Sequence, residues 1–353
     1  MKHPKILAAA TALPARRYRQ AEIRDACAEA FPELLAVPAR LSIFENAGVE
    51  ERYLAEPIAY YFDGKSFEAR NDNYLRRALE LSKSALSACL ARAGKSPEAL
   101  DHLLSVTTTG LATPSLETRL AREIPSSPSL QRTPLFGSGC AGGAVGLARA
   151  SELLRGRPEG FAAVVSAELC SLCFDPEDPS LLKIVSAALF GDGAAAVLLA
   201  GADAAVERPL AEVVASGSFL IPDTLDVMGW RFADRGMKLL LSPDAPRVVE
   251  DNARRALEPF LQSNGVSLED IDLFLIHPGS LRIIEAFERA LGLSARDTLP
   301  SRESLRRYGN LSSASILFIL EEALGRRRDQ GALALLAAMG PGFSCEMSLL
   351  RFL

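Results

Sequence analysis

The stretch Phe136-Gly137-Ser138-Gly139-Cys140-Ala141-Gly142-Gly143-Ala144-Val145-Gly146 passes from a short apolar run through three small residues into an alanine-rich pattern. The run at 133–136 reads as a β-strand, and the pattern that follows, as far as residue 154, reads as a helix. Strand, tight turn and helix in succession predict an α/β protein. The turn also presents a thiol in the first turn of that helix. Unpaired backbone N–H groups and the positive end of the helix dipole there favour thiolate over thiol. The small neighbours clear a path for a substrate, so Cys140 is a candidate nucleophile.

The whole chain sets the limits on that chemistry. Its 353 residues are 48% hydrophobic with a mean hydropathy of +0.12, which suffices for one large core or two fused ones. A net charge of −5 and a pI near 5.5 exclude the concentrated basic surface that a nucleic-acid partner requires. The one dense basic run, Arg326-Arg327-Arg328, follows a helix end expected at Gly325 and reads as a solvated cap. No segment approaches the ~20 apolar residues of a membrane span, and Met1-Lys2-His3-Pro4-Lys5-Ile6 lacks the apolar core of a signal peptide. The expectation is a cytoplasmic protein. Cys27, Cys89, Cys140, Cys170, Cys173 and Cys345 are scattered, unlike a disulfide framework, and are expected to remain thiols.

Outward from the cysteine, strands and helices alternate in both halves. In the first, residues 103–109 read as a β-branched strand ended by Gly110, a helix starts at Ser115, and buried strands are expected at 161–167 and 194–199. The second half repeats the grammar, with helices at 246–262, 281–291 and 312–324 and strands at 273–276, 332–338 and 347–352. Similar halves, 1–205 with the cysteine and 206–353, predict a pseudo-duplicated α/β fold.

Of three histidines, His3 lies in a terminal tail and His102 precedes a strand. His277 ends the strand Leu273-Phe274-Leu275-Ile276, and Pro278-Gly279 turns the chain there. Carboxyl ends of strands open onto the ligand crevice of α/β folds, so His277 is the well-placed imidazole. Tyr308-Gly309-Asn310-Leu311-Ser312-Ser313-Ala314-Ser315 adds a carboxamide in a turn at the mouth of an apolar helix. Alone, Asn310 would read as a neighbour of a helix cap. A thiolate, an imidazole and an amide donor together suit acyl transfer, because the nitrogen donors can hold an oxyanion.

These residues resemble the type III polyketide synthases, the chalcone-synthase-like branch of the thiolase superfamily. The resemblance covers nearly the whole chain. It rests on Gly-Ser-Gly-Cys140-Ala-Gly-Gly, on Ala188-Leu189-Phe190-Gly191-Asp192-Gly193-Ala194-Ala195-Ala196, on Ile276-His277-Pro278-Gly279, on Tyr308-Gly309-Asn310-Leu311-Ser312-Ser313-Ala314 and on Gly340-Pro341-Gly342-Phe343. It implies a thiolase-like fold in which two pseudo-duplicated α/β halves stack in αβαβα layers. It also implies a homodimer and acyl-CoA and malonyl-CoA as substrates, with no metal or redox cofactor. Cys140 would carry the growing chain as a thioester, while His277 and Asn310 would stabilise the oxyanion and assist decarboxylation of malonyl-CoA.

By the same resemblance, Phe190 and Leu239 are gatekeeping positions, the second a phenylalanine in plant relatives. Cys173, Thr108, Ser312, Trp230 and Gly342 would line the substrate cavity. Thr113 stands where plant relatives carry a methionine that reaches across the dimer. Gly110-Leu111-Ala112-Thr113-Pro114-Ser115 and Met228-Gly229-Trp230 look like bacterial members that make alkylresorcinols and alkylpyrones. A leucine-lined funnel favours a fatty acyl starter, since each buried methylene contributes ~0.8 kcal/mol without demanding hydrogen-bond geometry.

Several departures and alternatives accompany this reading. Only Arg52 is positive in Gly48-Val49-Glu50-Glu51-Arg52-Tyr53, where relatives place basic groups for the coenzyme A phosphates. That makes Arg52 the expected phosphate contact and keeps open two alternatives, an acyl carrier protein as starter donor or phosphate contacts from Arg residues elsewhere. Ser280 and Leu281 replace the glycine and proline of many relatives. Cys170-Ser171-Leu172-Cys173 has the C-x-x-C form of a redox or metal pair, but no second pair completes a tetrahedral site. A polyketide synthase using malonyl units alone or an aromatic starter, a single-condensation β-ketoacyl synthase and a head-to-head acyl condensing enzyme share the chemistry. A catalytically silent partner subunit would lack the nucleophile that this chain has.

Overall fold

Strands buried on both faces set the frame, and they are recognisable as runs without alternation. The computed structural model describes residues 2–326 and 329–353, with the side chains at 34, 35, 38 and 39 left aside. Arg327 and Arg328 of the expected basic cap lie outside the described residues. The first-half strands are β1 (Lys5–Ala12), β2 (Arg16–Arg19), β3 (Glu51–Leu54), β4 (His102–Val106), β5 (Gln131–Leu135), β6 (Phe161–Leu169) and β7 (Asp192–Ala200). The second half supplies β8 (Ala211–Leu220), β9 (Met228–Ala233), β10 (Gly236–Leu241), β11 (Leu273–Ile276), β12 (Leu333–Gly340) and β13 (Ser344–Phe352).

Nine of these strands form one sheet in the order β11-β12-β13-β8-β1-β7-β6-β4-β5. The same sub-pattern occurs twice. β1 pairs antiparallel with β7, β7 antiparallel with β6, and β6 parallel with β4. In the second half β8, β13, β12 and β11 repeat those three relations in the same order. β5 extends only the first copy. The two copies meet where β1 runs antiparallel to β8, at Lys5–Glu212 and Ile6–Ala211, so a local two-fold axis relates the halves.

Helices cover both faces. They are α1 (Gln20–Ala30), α2 (Pro32–Leu35), α3 (Pro38–Glu45), α4 (Phe67–Arg92), α5 (Leu116–Glu123) and α6 (Gly142–Arg155), followed by α7 (Leu182–Leu189), α8 (Ala245–Ser263), α9 (Leu281–Leu291), α10 (Leu299–Tyr308) and α11 (Ser315–Gly325). α6 packs on β4 and β6 of the first copy and on β12 and β13 of the second, while α11 packs on β1, β7 and β11. These two apolar helices form a central layer, and Leu147, Leu154, Leu317 and Leu320 are fully buried there. α4 covers the outer face of the first copy, and α8 with α9 covers that of the second. This is the layered, duplicated α/β architecture that the sequence led us to expect. The segment 201–210 joins β7 to β8, and the boundary expected at 205/206 falls in it. No helix among the described residues is long and apolar enough to cross a membrane.

Three expected elements differ in a telling way. The strand expected at 103–109 stops at Val106, because Thr108 and Thr109 turn their hydroxyls to the buried Glu168 carboxylate instead of extending the ladder. The helices expected to include Cys140 and Ser312 each begin with a separate 3₁₀ turn, Gly139–Ala141 before α6 and Ser312–Ala314 before α11.

Candidate active site

A cavity of about 890 Å³ opens beside the central layer, and Cys140, His277 and Asn310 all line it. Each arrives on a different element. Cys140 occupies the 3₁₀ turn ahead of α6, His277 follows β11 directly, and Asn310 lies between α10 and α11. The glycines around Cys140 make the approach possible. Gly139 has φ +50°, and a Cβ there would stand 2.4 Å from Pro341 Cδ. A Cβ on Gly143 would stand 2.3 Å from the Ser313 carbonyl oxygen. Only bare backbone lets α6 come this close to the turn that carries Asn310 and Ser312.

Asn310 is fixed by four hydrogen bonds. Its N–H donates to the Leu189 carbonyl at 2.9 Å, and its carbonyl accepts from the Gly191 N–H at 3.0 Å. Its Oδ1 accepts from the Ser312 N–H at 2.8 Å, and its Nδ2 donates to the Gly279 carbonyl at 2.9 Å. That arrangement leaves the second Nδ2 hydrogen as a donor for a cavity ligand. His277 continues the sheet by donating its N–H to Ala337 at 2.8 Å, and its carbonyl accepts from Gly279 in the tight turn at Pro278. Neither imidazole nitrogen has a hydrogen-bond partner among the described residues. Burial lowers His277 to about 3, so the neutral ring is the resting form.

Burial likewise pushes the Cys140 thiol up to about 11. The Ser312 hydroxyl and the Asn310 carboxamide pull it back down, and the nearby Glu168 carboxylate raises it. The helix-end stabilisation expected from sequence is therefore outweighed by desolvation, and the resting sulfur is a thiol. A buried neutral imidazole, with one ring nitrogen unprotonated, is the complementary acceptor for it.

Glu168 escaped the sequence reading. It sits near the end of β6, fully buried, and burial raises its carboxyl. It accepts from the Thr108 N–H and Oγ1 at 3.0 Å each, from Thr109 Oγ1 at 2.7 Å, and from Ser313 Oγ. Thr108 Oγ1 also lies 3.2 Å from Ser312 Oγ, so a chain of hydroxyls runs from the carboxylate to the cavity wall. A lone carboxylate in an apolar strand, together with a Thr-Thr-Thr run, was the available signal.

Of the other expected cavity residues, Thr108, Cys173, Phe190, Trp230, Leu239 and Ser312 line the cavity. Trp230 and Leu239 face each other across the β9–β10 hairpin. Cys173 ends a 3₁₀ turn that begins at Cys170, and its thiol donates to the Thr109 carbonyl at 3.3 Å. Thr113 and Gly342 are not in the wall. Thr113 is exposed on the turn after β4. Gly342, at φ +134°, abuts Leu220 while its neighbours Pro341 and Phe343 face the cavity.

Arg52 also departs from expectation. It is fully buried and its guanidinium donates to the carbonyls of Ala187, Ala188 and Phe190, so it cannot meet a phosphate at the cavity mouth. Cations there come from other elements, Lys183, Arg231, Arg235, Lys238 and Arg282. Arg235 is held by Asp175 at 2.9 Å and Glu177 at 2.7 Å, and Lys238 by Asp178 at 3.3 Å. Arg231 and Arg282 are exposed and form no ion pair among the described residues.

Comparison with known proteins gives a consistent picture. The N-terminal domain of chalcone and stilbene synthases matches residues 50–204, and their C-terminal domain matches residues 212–353. A 1,3,6,8-tetrahydroxynaphthalene synthase of Streptomyces peucetius subsp. caesius is 39% identical over 98% of this chain and 93% of its own length. A 3,5-dihydroxyphenylacetyl-CoA synthase of Amycolatopsis balhimycina is 32% identical over 97% of this chain and 91% of its own. The crystal structure of 1,3,6,8-tetrahydroxynaphthalene synthase from Streptomyces coelicolor A3(2), a bacterial type III polyketide synthase, superposes with a TM-score of 0.93 at 28% identity and covers 99% of both chains.

Proposed function

The chain belongs to the chalcone and stilbene synthase family and is a type III polyketide synthase, an acyltransferase; from that premise we propose that it primes Cys140 with a medium- or long-chain fatty acyl group from coenzyme A and extends it with malonyl-CoA to an alkylpyrone or alkylresorcinol. The observation that supports this most is the convergence of Cys140, His277 and Asn310 on one large cavity with Leu239, Leu281, Ile283 and Met228 in its wall.

In this reading Cys140 Sγ attacks the starter thioester as its proton passes to the neutral His277, and coenzyme A leaves with that proton. Malonyl-CoA then binds with its thioester oxygen between the imidazole and the free Asn310 Nδ2 hydrogen. Loss of carbon dioxide leaves an enolate that these donors stabilise. The enolate carbon attacks the acyl carbonyl, the Cys140 thiolate is expelled, and the lengthened acyl-CoA returns to the cysteine for the next round. The coenzyme A phosphates would meet Arg231 and Arg282. An acyl carrier protein could deliver the same acyl thioester, and in a homodimer Thr113 would approach the neighbouring copy's cavity.

Incubation with decanoyl-CoA and malonyl-CoA, read by product mass, tests the proposal. Triketide and tetraketide products carrying the C10 chain are expected. A single β-keto acid, or no acyl-containing product, would overturn it. A second reading, in which malonyl units alone supply the whole chain, has in its favour the relatives named for 1,3,6,8-tetrahydroxynaphthalene. It requires product from malonyl-CoA alone at the same rate with and without decanoyl-CoA.

A further inference from the structure

We propose that Arg52 is a positioning residue for the extension step: from the first half of the chain it sets the place of Asn310 and Phe190, which adjoin one another in the cavity wall. The inference rests on the role of Asn310 given above. It starts from an accounting of the carbonyls at the end of α7, which has no basic residue of its own in its last turn. The Ser186 carbonyl accepts from the Phe190 N–H at 3.0 Å. Those of Ala187 and Ala188 accept from Arg52 Nη1 at 2.5 Å and Nη2 at 2.8 Å. The Leu189 carbonyl accepts from the Asn310 N–H at 2.9 Å. Arg52 Nη1 also reaches the Phe190 carbonyl at 3.2 Å.

One guanidinium thus caps the helix end, and the residue after that end is Phe190, whose side chain lines the cavity. Phe190 and Asn310 form a parallel bridge. Its two hydrogen bonds are the backbone half of what holds Asn310. Moving the end of α7 therefore moves the backbone of the carboxamide, while Cys140 and His277 ride on elements that Arg52 does not touch. Gln20 stiffens the clamp. Its Oε1 accepts from Arg52 Nη2, and its Nε2 donates to the carbonyls of Phe44 at 2.9 Å and Ala188 at 3.0 Å. Burial lowers the guanidinium to about 10, so it stays cationic at neutral pH and opposes the negative end of the α7 dipole.

The arrangement predicts a split between half-reactions. Displacing a catalytic group by about 1 Å costs on the order of 100-fold in rate, and only the step that uses Asn310 should suffer. The test uses full-length Arg52→Lys and Gln20→Ala, each compared with wild type. Acylation of Cys140 by decanoyl-CoA is read by intact mass, and decarboxylation of malonyl-CoA by released carbon dioxide. Expected are a loss of at least roughly tenfold in decarboxylation for Arg52→Lys, a smaller one for Gln20→Ala, and acylation within about twofold of wild type in both. Parallel losses in the two steps, or none in decarboxylation, would overturn the inference. Amide hydrogen exchange of the segment 308–315 reads the same geometry without substrate. Faster exchange in Arg52→Lys supports the clamp, and unchanged exchange sinks it even where wild type proves inactive with both thioesters, which would refute the proposed function instead.

Discussion

Replacing Leu239 by phenylalanine should shorten the starter that the enzyme accepts. Leu239 is half-buried on β10, opposite Trp230 of β9, and both face the cavity. The substitution adds three side-chain carbons to a wall that already carries an indole on its other side. A chain long enough to fill the cavity gives up as many as three buried methylenes, each worth ~0.8 kcal/mol. The loss of about 2.4 kcal/mol corresponds to roughly 60-fold in kcat/KM, and a ring that turns partly aside returns one methylene and leaves roughly 15-fold. Starters too short to reach the hairpin lose nothing. The assay is competition among C6 to C16 acyl-CoAs with excess malonyl-CoA, with products resolved by mass. The optimum should move down by two to three carbons. An unchanged chain-length profile would refute the placement of the alkyl chain against the hairpin.

Other outcomes follow from the same geometry. Cys140→Ala should show no acyl adduct by intact-protein mass after acyl-CoA treatment, whereas Asn310→Ala should load normally and decarboxylate malonyl-CoA at least about 100-fold more slowly, the scale of losing one oxyanion donor. Gly143→Ala drives a methyl into the Ser313 carbonyl and should cost about 1–3 kcal/mol in urea denaturation; a neutral result would mean that α6 and α11 are less tightly apposed. Burial lowers His277 to about 3 in the folded protein, while the unfolded chain titrates near ~6.5. The unfolded state thus binds the extra proton first, and stability falls as pH drops below ~6.5, by about 2.3 kcal/mol between pH 6.5 and 4.5. Denaturation of wild type and His277→Gln at both pH values checks this, since the variant should lack that share of the loss.

The chemistry was more legible than its supports. Cys140, His277 and Asn310 each sit in a turn flanked by glycine or proline, and such turns announce themselves locally. β11 and α9 begin and end where the apolar periodicity does. β1 carries no clear strand signal in the sequence, because its alanine-rich residues have little intrinsic preference for a strand. It is nonetheless the innermost strand of the first copy, extended by pairing with β7 and β8. Glu168 and Arg52 were missed or misplaced for a related reason. A charge in a short strand looks solvated until folding supplies hydroxyls for one and helix-end carbonyls for the other, from residues 59 to 145 positions away for Glu168 and 135 to 138 for Arg52.

The strand order has one more consequence. Ala211 of β8 pairs with Ile6 on one side and with Phe352 on the other, so the two ends of the chain flank a single residue at a separation of about 10 Å, two interstrand spacings. A short peptide could join them, and new ends could be opened between 201 and 210. The rearranged polypeptide would be synthesised with its histidine and asparagine ahead of its cysteine. It would still assemble the same reaction chamber, because the chamber depends on which strands lie side by side and not on which is made first.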